Sequence, residues 1–228
     1  MFSIYLYLLR MALIRSVFQD ELDGVSQSLV DLFKMAADSM KKATEALLGA
    51  NLRIAEDVIS ADEKIDNFQH ELDSRIIDII ARQQPVASDL RALITALRMS
   101  ADLERMGDLS HHIAKIARLR HPEVAVPQDL HDIVRHMGDA ATKIAEKVGT
   151  VIETRNTSMA LELEKDDDVI DTLHRELIGK LTAGTWDKGV ASAVDLTLLG
   201  RYYERFADHA VSVSRRVYFL VTGEFAQP

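Results

Sequence analysis

Cysteine is absent from this chain of 228 residues. Its absence excludes disulfides, thiolate metal sites and cysteine nucleophiles, and it suits a reducing cytoplasm. Four prolines and ten glycines leave few places where a helix must break. No stretch alternates apolar and polar residues for long, so no sheet is expected. A glycine-rich phosphate loop is also missing, which argues against nucleotide hydrolysis; no enzymatic activity is expected. The net charge of −9 argues against broad affinity for nucleic acid and against docking to anionic lipid by charge alone.

The first segment, MFSIYLYLLRMALIRSVF, is apolar, but Arg10 and Arg15 interrupt it. A transmembrane helix needs roughly 18–20 apolar residues, and a signal peptide needs a basic start and a small-residue cleavage site. Residues 1–16 are therefore read as an N-terminal extension: a helix continuation on a partner, or residues from a misplaced start. A membrane-surface contact is the other reading.

What is present is helical. Apolar residues at steps of three and four run through Leu22, Val25, Leu29, Leu32, Ala36, Met40, Ala43 and Leu47, giving a first helix over Phe18 to Leu48. Gly49-Ala50-Asn51 breaks it. A second helix runs from Leu52 to Gln83, where Pro85 stops it. Ser88 is the expected cap of a third helix that reaches Arg120. After the linker HPEVAVP the pattern repeats, with helices over Leu130 to Glu153, from Asn156-Thr157-Ser158 to Leu181, and from Val190 to Val221. The expected fold is all-α: two tandem three-helix bundles over residues 17–121 and 128–223.

The two halves repeat in residues as well as in pattern. MSADLERMGDLSHHI, from Met99, is echoed by GRYYERFADHAVSV, from Gly200. Glu104 and Asp108, like Glu204 and Asp208, stand four residues apart, side by side on one helix face. The second helix of each set carries a similar pair, Asp62 with Asp66 and Asp167 with Asp171. Asp62 and Asp66 lie 23 and 19 residues before Pro85, and Asp108 and Glu104 lie the same distances after it. A hairpin folded at that proline therefore brings four acids to one level, with Ile76 opposite Ile94 and Ile80 opposite Leu90. In the second half the corresponding midpoint falls at Asp187 and Lys188, inside the Gly184–Gly189 turn. At about 100° per residue, Leu90, Leu97, Ala101, Glu104 and Asp108 share one stripe, so the acids extend the apolar seam of the third helix.

Four converging carboxylates cannot all stay ionised without a cation or arginine nearby. Chance alone yields on the order of six such acid pairs in a chain this acidic, most of them solvated. Duplication and matched height single these out. The expected metal ligands are Asp62, Asp66, Glu104, Asp108, Asp167, Asp171, Glu204 and Asp208, with His112, or its neighbour His111, at the first site. Oxygen donors suit Mg²⁺, Mn²⁺ or Fe, and an imidazole tilts the choice toward Fe, Mn or Zn. Val211 and Ser212 make the second site the purer oxygen site. His70, His131, His136 and His174 read as structural, and Trp186 as a packing anchor. A carboxylate-bridged di-metal oxidase relies on Glu-x-x-His pairs, of which the chain has none. A purely structural scaffold with solvated acids is the remaining alternative.

The duplicated layout, the DEKID and DDVID segments, and ADLERMGDLSHHIA with RYYERFADHA resemble the PhoU family of phosphate-uptake regulators. The resemblance covers about Val17 to Gly223. It implies metal ions or multinuclear clusters on the eight acids. It further implies a cytoplasmic accessory protein linking the ATPase of a phosphate ABC transporter to a sensor histidine kinase, and repressing the phosphate-starvation response. A homodimer is expected. The chain departs from the family pattern at His112 and Ser212, where Asn is common, and at Ala207, where Gly is usual.

Overall fold

The computed structural model describes the backbone of residues 2–226 and the side chains of residues 15–226. Six helices make up nearly all of it: α1 (Phe2–Gly49), α2 (Leu52–Gln83), α3 (Ala87–Arg120), α4 (His131–Thr154), α5 (Thr157–Thr182) and α6 (Val190–Thr222). No strand occurs among the described residues, and none of their helices is long and apolar enough to cross a membrane. The helix α1 begins at Phe2, so residues 2–16 of the expected extension are helical in backbone. What its first side chains touch lies outside the described residues.

Local chemistry sets most boundaries. Asn51 accepts a hydrogen bond from the Ile54 amide at 3.2 Å, and Asn156 accepts one from the Met159 amide at 3.0 Å, capping α2 and α5. Gly189 enters α6 with φ +83°, and the Trp186 indole donates to its carbonyl at 2.9 Å. The expected cap at Ser88 is not formed. The helix α3 starts one residue earlier, at Ala87, and Val86 before it offers no side-chain acceptor.

The helices α1 to α3 form one bundle and α4 to α6 the other. The predicted stripe of α1 is the buried one: Val25, Leu29, Leu32, Ala36, Met40, Ala43 and Leu47 all lie in the core. The two bundles share that core, because α3 packs on α6 and α1 on α4. Polar contacts fasten the junction. Asp102 of α3 accepts from Ser212 at 3.0 Å and from Arg216 at 2.7 Å, and faces the His209 Nδ1 at 3.0 Å. Thr44 and Tyr203 share a hydrogen bond at 2.8 Å, and Arg120 pairs with Asp195 at 2.5 Å.

That shared core revises the expected seam of α3. The helix has neighbours on three sides, α1, α2 and α6, and its buried residues spread over most of its circumference, from Leu93 and Met99 to Gly107 and Ala114. Leu90 and Ile94, expected to pair with Ile80 and Ile76, stay exposed, at 37% and 41%. Glu104 and Asp108 lie at the border between buried and exposed surface, not in a continuous apolar seam.

Candidate metal centre

The first acid group forms where α2 meets α3. One carboxylate oxygen from each of Asp62, Asp66 and Asp108 lies within 4.8 Å of the other two. Close approach depends on Gly107: a Cβ there would come within 3.0 Å of Ile65 Cδ1. Glu104 joins the same electrostatic group, since Asp108, Asp66 and Asp62 all act on its charge. Arg105 lies on the outer side, 2.5 Å from Asp108 and 3.5 Å from Glu104.

The imidazole at this site belongs to His111. Its Nδ1 engages Asp62 Oδ2, and the two side chains are only 15% and 12% exposed. The His112 ring stacks on His111 at 5.8 Å and on Tyr202 of α6 at 5.2 Å between ring centroids. Burial, with the neighbouring His111 and Lys115, pulls the His112 pKa down.

The electrostatics are those of a site short of positive charge. Burial, and then repulsion from Asp62 and Asp108, raises the Asp66 pKa. Burial and Asp108 do the same for Glu104. Among the described residues four buried side-chain atoms lack any hydrogen-bond partner: Asp62 Oδ1, Asp66 Oδ1, His111 Nε2 and Asp167 Oδ1. All four belong to the two acid groups. Buried polar atoms are normally satisfied by protein, ordered water or an ion, so these orphans are where such a partner would sit. His111 Nδ1 lies against Asp62 while its Nε2 has no hydrogen-bond partner. The three carboxylate oxygens suit a divalent cation; Glu104 and His111 stand beside this group and not within it.

The second group, between α5 and α6, is looser. Asp167 responds to burial, then to Asp171, Asp208, Asp168 and Glu204, and its pKa is pushed up to about 7. Burial and Glu204 raise that of Asp208. Among the described residues, however, only the first half brings three ligand atoms within 4.8 Å. Ala207 takes the place of Gly107 here and is fully buried. Two further groups reach this acid cluster: Arg201 pairs with Glu204, and His174 Nδ1 comes within 3.8 Å of the same carboxylate. The second site, read as the purer oxygen site, has beside it the imidazole of His174, which the sequence alone reads as structural. Both histidines follow a motif Asp by three residues, in Asp108-x-x-His111 and Asp171-x-x-His174, and that spacing is the signal that marks them in the sequence.

The PhoU domain matches this chain twice, over residues 29–117 and 134–217. The chain belongs to the PhoU family. Each match contains both acid pairs of its half. The chain is 43% identical over 211 residues to phosphate-specific transport system accessory protein PhoU homolog 2 of Mycobacterium tuberculosis, covering 92% of this chain and 99% of that one. It is 41% identical over 213 residues to PhoU homolog 1 of Mycobacterium leprae, covering 93% and 96%. The crystal structure of PhoU from Pseudomonas aeruginosa superposes with a TM-score of 0.83 at 27% identity, over 91% of this chain and all of that chain. The tandem PhoU fold therefore accounts for the duplicated acids, and places each group at a helix hairpin of its own bundle.

Proposed function

We propose that this protein is a metal-binding, non-catalytic regulator of phosphate uptake. In this reading it couples a phosphate ABC transporter to a sensor histidine kinase in the cytoplasm and represses the starvation response when phosphate is plentiful. The observation that carries the metal half is the first acid group, in which three ligand atoms lie within 4.8 Å and two carboxylate oxygens are buried without a partner. The regulatory half rests on family membership and on relatives named as accessory proteins of phosphate-specific transport.

The chemistry of such a site is electrostatic and mechanical. A divalent cation supplies the positive charge that the carboxylates lack and satisfies their free lone pairs. Asp62, Asp66, Glu104, Asp108 and His111 would hold it at the first site, so one ion ties α2 to α3. Asp167, Asp171, Glu204 and Asp208 would do the same for α5 and α6, with His174 as the adjacent imidazole. Asp62 plays two parts, offering one oxygen to the ion and using the other to orient His111.

Elemental analysis of the purified protein tests the first half: bound Mn, Fe, Zn or Mg is expected, with the first site's share lost in the Asp66→Asn, Asp108→Asn double variant. Deleting the gene tests the second, and phosphate-starvation genes should then be expressed in phosphate-rich medium. Metal-free protein, or unaltered expression, overturns the corresponding half.

A further inference from the structure

A second surface of opposite character lies at the other end of α3. Its N-terminal turns and the C-terminal turns of α6 bound an open groove of about 670 Å³. Four arginines line it, Arg91, Arg98, Arg215 and Arg216, and no acidic residue does. In a chain of net charge −9 this is a concentration of the minority sign. Two of the four are already compensated, Arg215 by Glu164 and Arg216 by Asp102, both at 2.7 Å. Arg91 and Arg98 have no such partner: among the described residues no carboxylate lies within bridging distance of either.

The walls between these charges are apolar. Leu90 and Ile94 of α3 line the groove and are exposed. Phe219 stacks on Phe225 at 4.5 Å between ring centroids, and the Arg91 guanidinium lies 5.4 Å over the Phe219 ring. Gly223, with φ +78°, turns the chain so that Phe225 returns to the groove, which it meets 75% exposed. The α3 wall runs from Ala87 to Arg98, roughly 17 Å at about 1.5 Å per residue, or three helical turns.

We infer that this groove docks an acidic, amphipathic helical segment of a partner protein, its apolar face on Leu90, Ile94 and Phe219 and its carboxylates on Arg91 and Arg98. Apolar anchors in a helix-lined groove with charges at the rim are the features of helix-in-groove recognition. A free phosphate would use the arginines and leave the apolar walls unused. An anionic membrane would meet the repulsion of a chain carrying a net charge of −9. None of the eight motif acids lines the groove, so its arginines and apolar walls are tested separately from metal binding.

Panning a library of random dodecapeptides on the intact protein tests this, followed by fluorescence anisotropy of the selected peptides. Selected sequences should carry more Asp and Glu than Lys and Arg, with at least one large apolar residue. Their affinity should fall at least tenfold in Arg91→Glu with Arg98→Glu, and again in Ile94→Glu, while the melting temperatures of these surface variants stay near wild type. Chelation should leave it unchanged. Failure to select, selection of neutral or basic peptides, or binding that ignores both variants overturns the proposal. So do two alternative occupants, each sensitive to the arginine variant: phosphatidylglycerol vesicles binding in place of peptides, or concentration-dependent self-association of the chain.

Discussion

Gly107 lies against Ile65 so closely that a Cβ on the glycine would come within 3.0 Å of the isoleucine Cδ1. Each is the immediate neighbour of a motif acid, Asp108 and Asp66. The close packing of α2 on α3 beside the carboxylates therefore leaves little room for a methyl group at position 107. In the second half Ala207 supplies that methyl, and the acids there do not gather as tightly.

Gly107→Ala should accordingly destabilise the protein by about 1 kcal/mol, the low end for overpacking, since the flexible end of Ile65 can yield. It should also weaken metal binding at the first site, and Ile65→Val should restore part of both. Urea denaturation and calorimetric titration of Mn²⁺ into metal-free protein check this. Unchanged metal affinity would separate the helix spacing from the site.

Stability should depend on pH in opposite ways with and without metal. In metal-free protein the raised pKa values of Asp66, Glu104, Asp208 and Asp167, the last at about 7, mean that the folded state holds protons that the unfolded state releases. Between the ordinary carboxylate range near 4 and about 7, the folded state binds more protons, so stability falls as pH rises through that window. In excess chelator the melting temperature should drop from pH 5 to pH 7.5. With Mn²⁺ present it should hold or rise, because ionised carboxylates are the better ligands. Thermal scans across pH distinguish the two.

Asp102 behaves differently, and so does its prediction. Burial alone would raise its pKa, but hydrogen bonds from His209, Arg216 and Ser212 hold it below the usual carboxylate value. Its contribution is therefore present at neutral pH and lost as pH falls through the lowered value. Asp102→Ala leaves Arg216 and His209 without their acceptor at the junction of the bundles, and should cost roughly 2–3 kcal/mol. Asp102→Asn should cost less. Chemical denaturation at pH 7 measures both, and a change below about 0.5 kcal/mol in the alanine variant would mean that the junction does not depend on this cluster.

Much of this architecture was legible because local chemistry and periodicity agree. Asn51, Pro85, Asn156 and Gly189 punctuate the chain where the helices break or resume. Counting outward from Pro85 brings Asp62, Asp66, Glu104 and Asp108 to one level; one oxygen from each of the three aspartates lies within 4.8 Å of the others, and Glu104 stands outside that group. The orientation of α3 was not legible in the same way. A helix with one partner buries one stripe, whereas α3 has partners on three sides, so Leu90 and Ile94 face the arginine groove and not α2. The choice between His111 and His112 was not legible for a related reason. Adjacent residues differ by about 100° around the helix, and the presence of α6, whose Tyr202 takes His112, decides which ring turns toward the acids.

The central claim is that the first acid group exists to hold a cation, and Asp66→Asn tests it with one comparison. Removing that charge relieves repulsion from Asp62 and Asp108 in metal-free protein but removes a ligand in metal-bound protein. In melting scans at pH 7.5, the variant should match or exceed wild type in chelator, yet gain much less than wild type when Mn²⁺ is added. If wild type and variant respond identically to chelator and to metal, the acids are not a cation site.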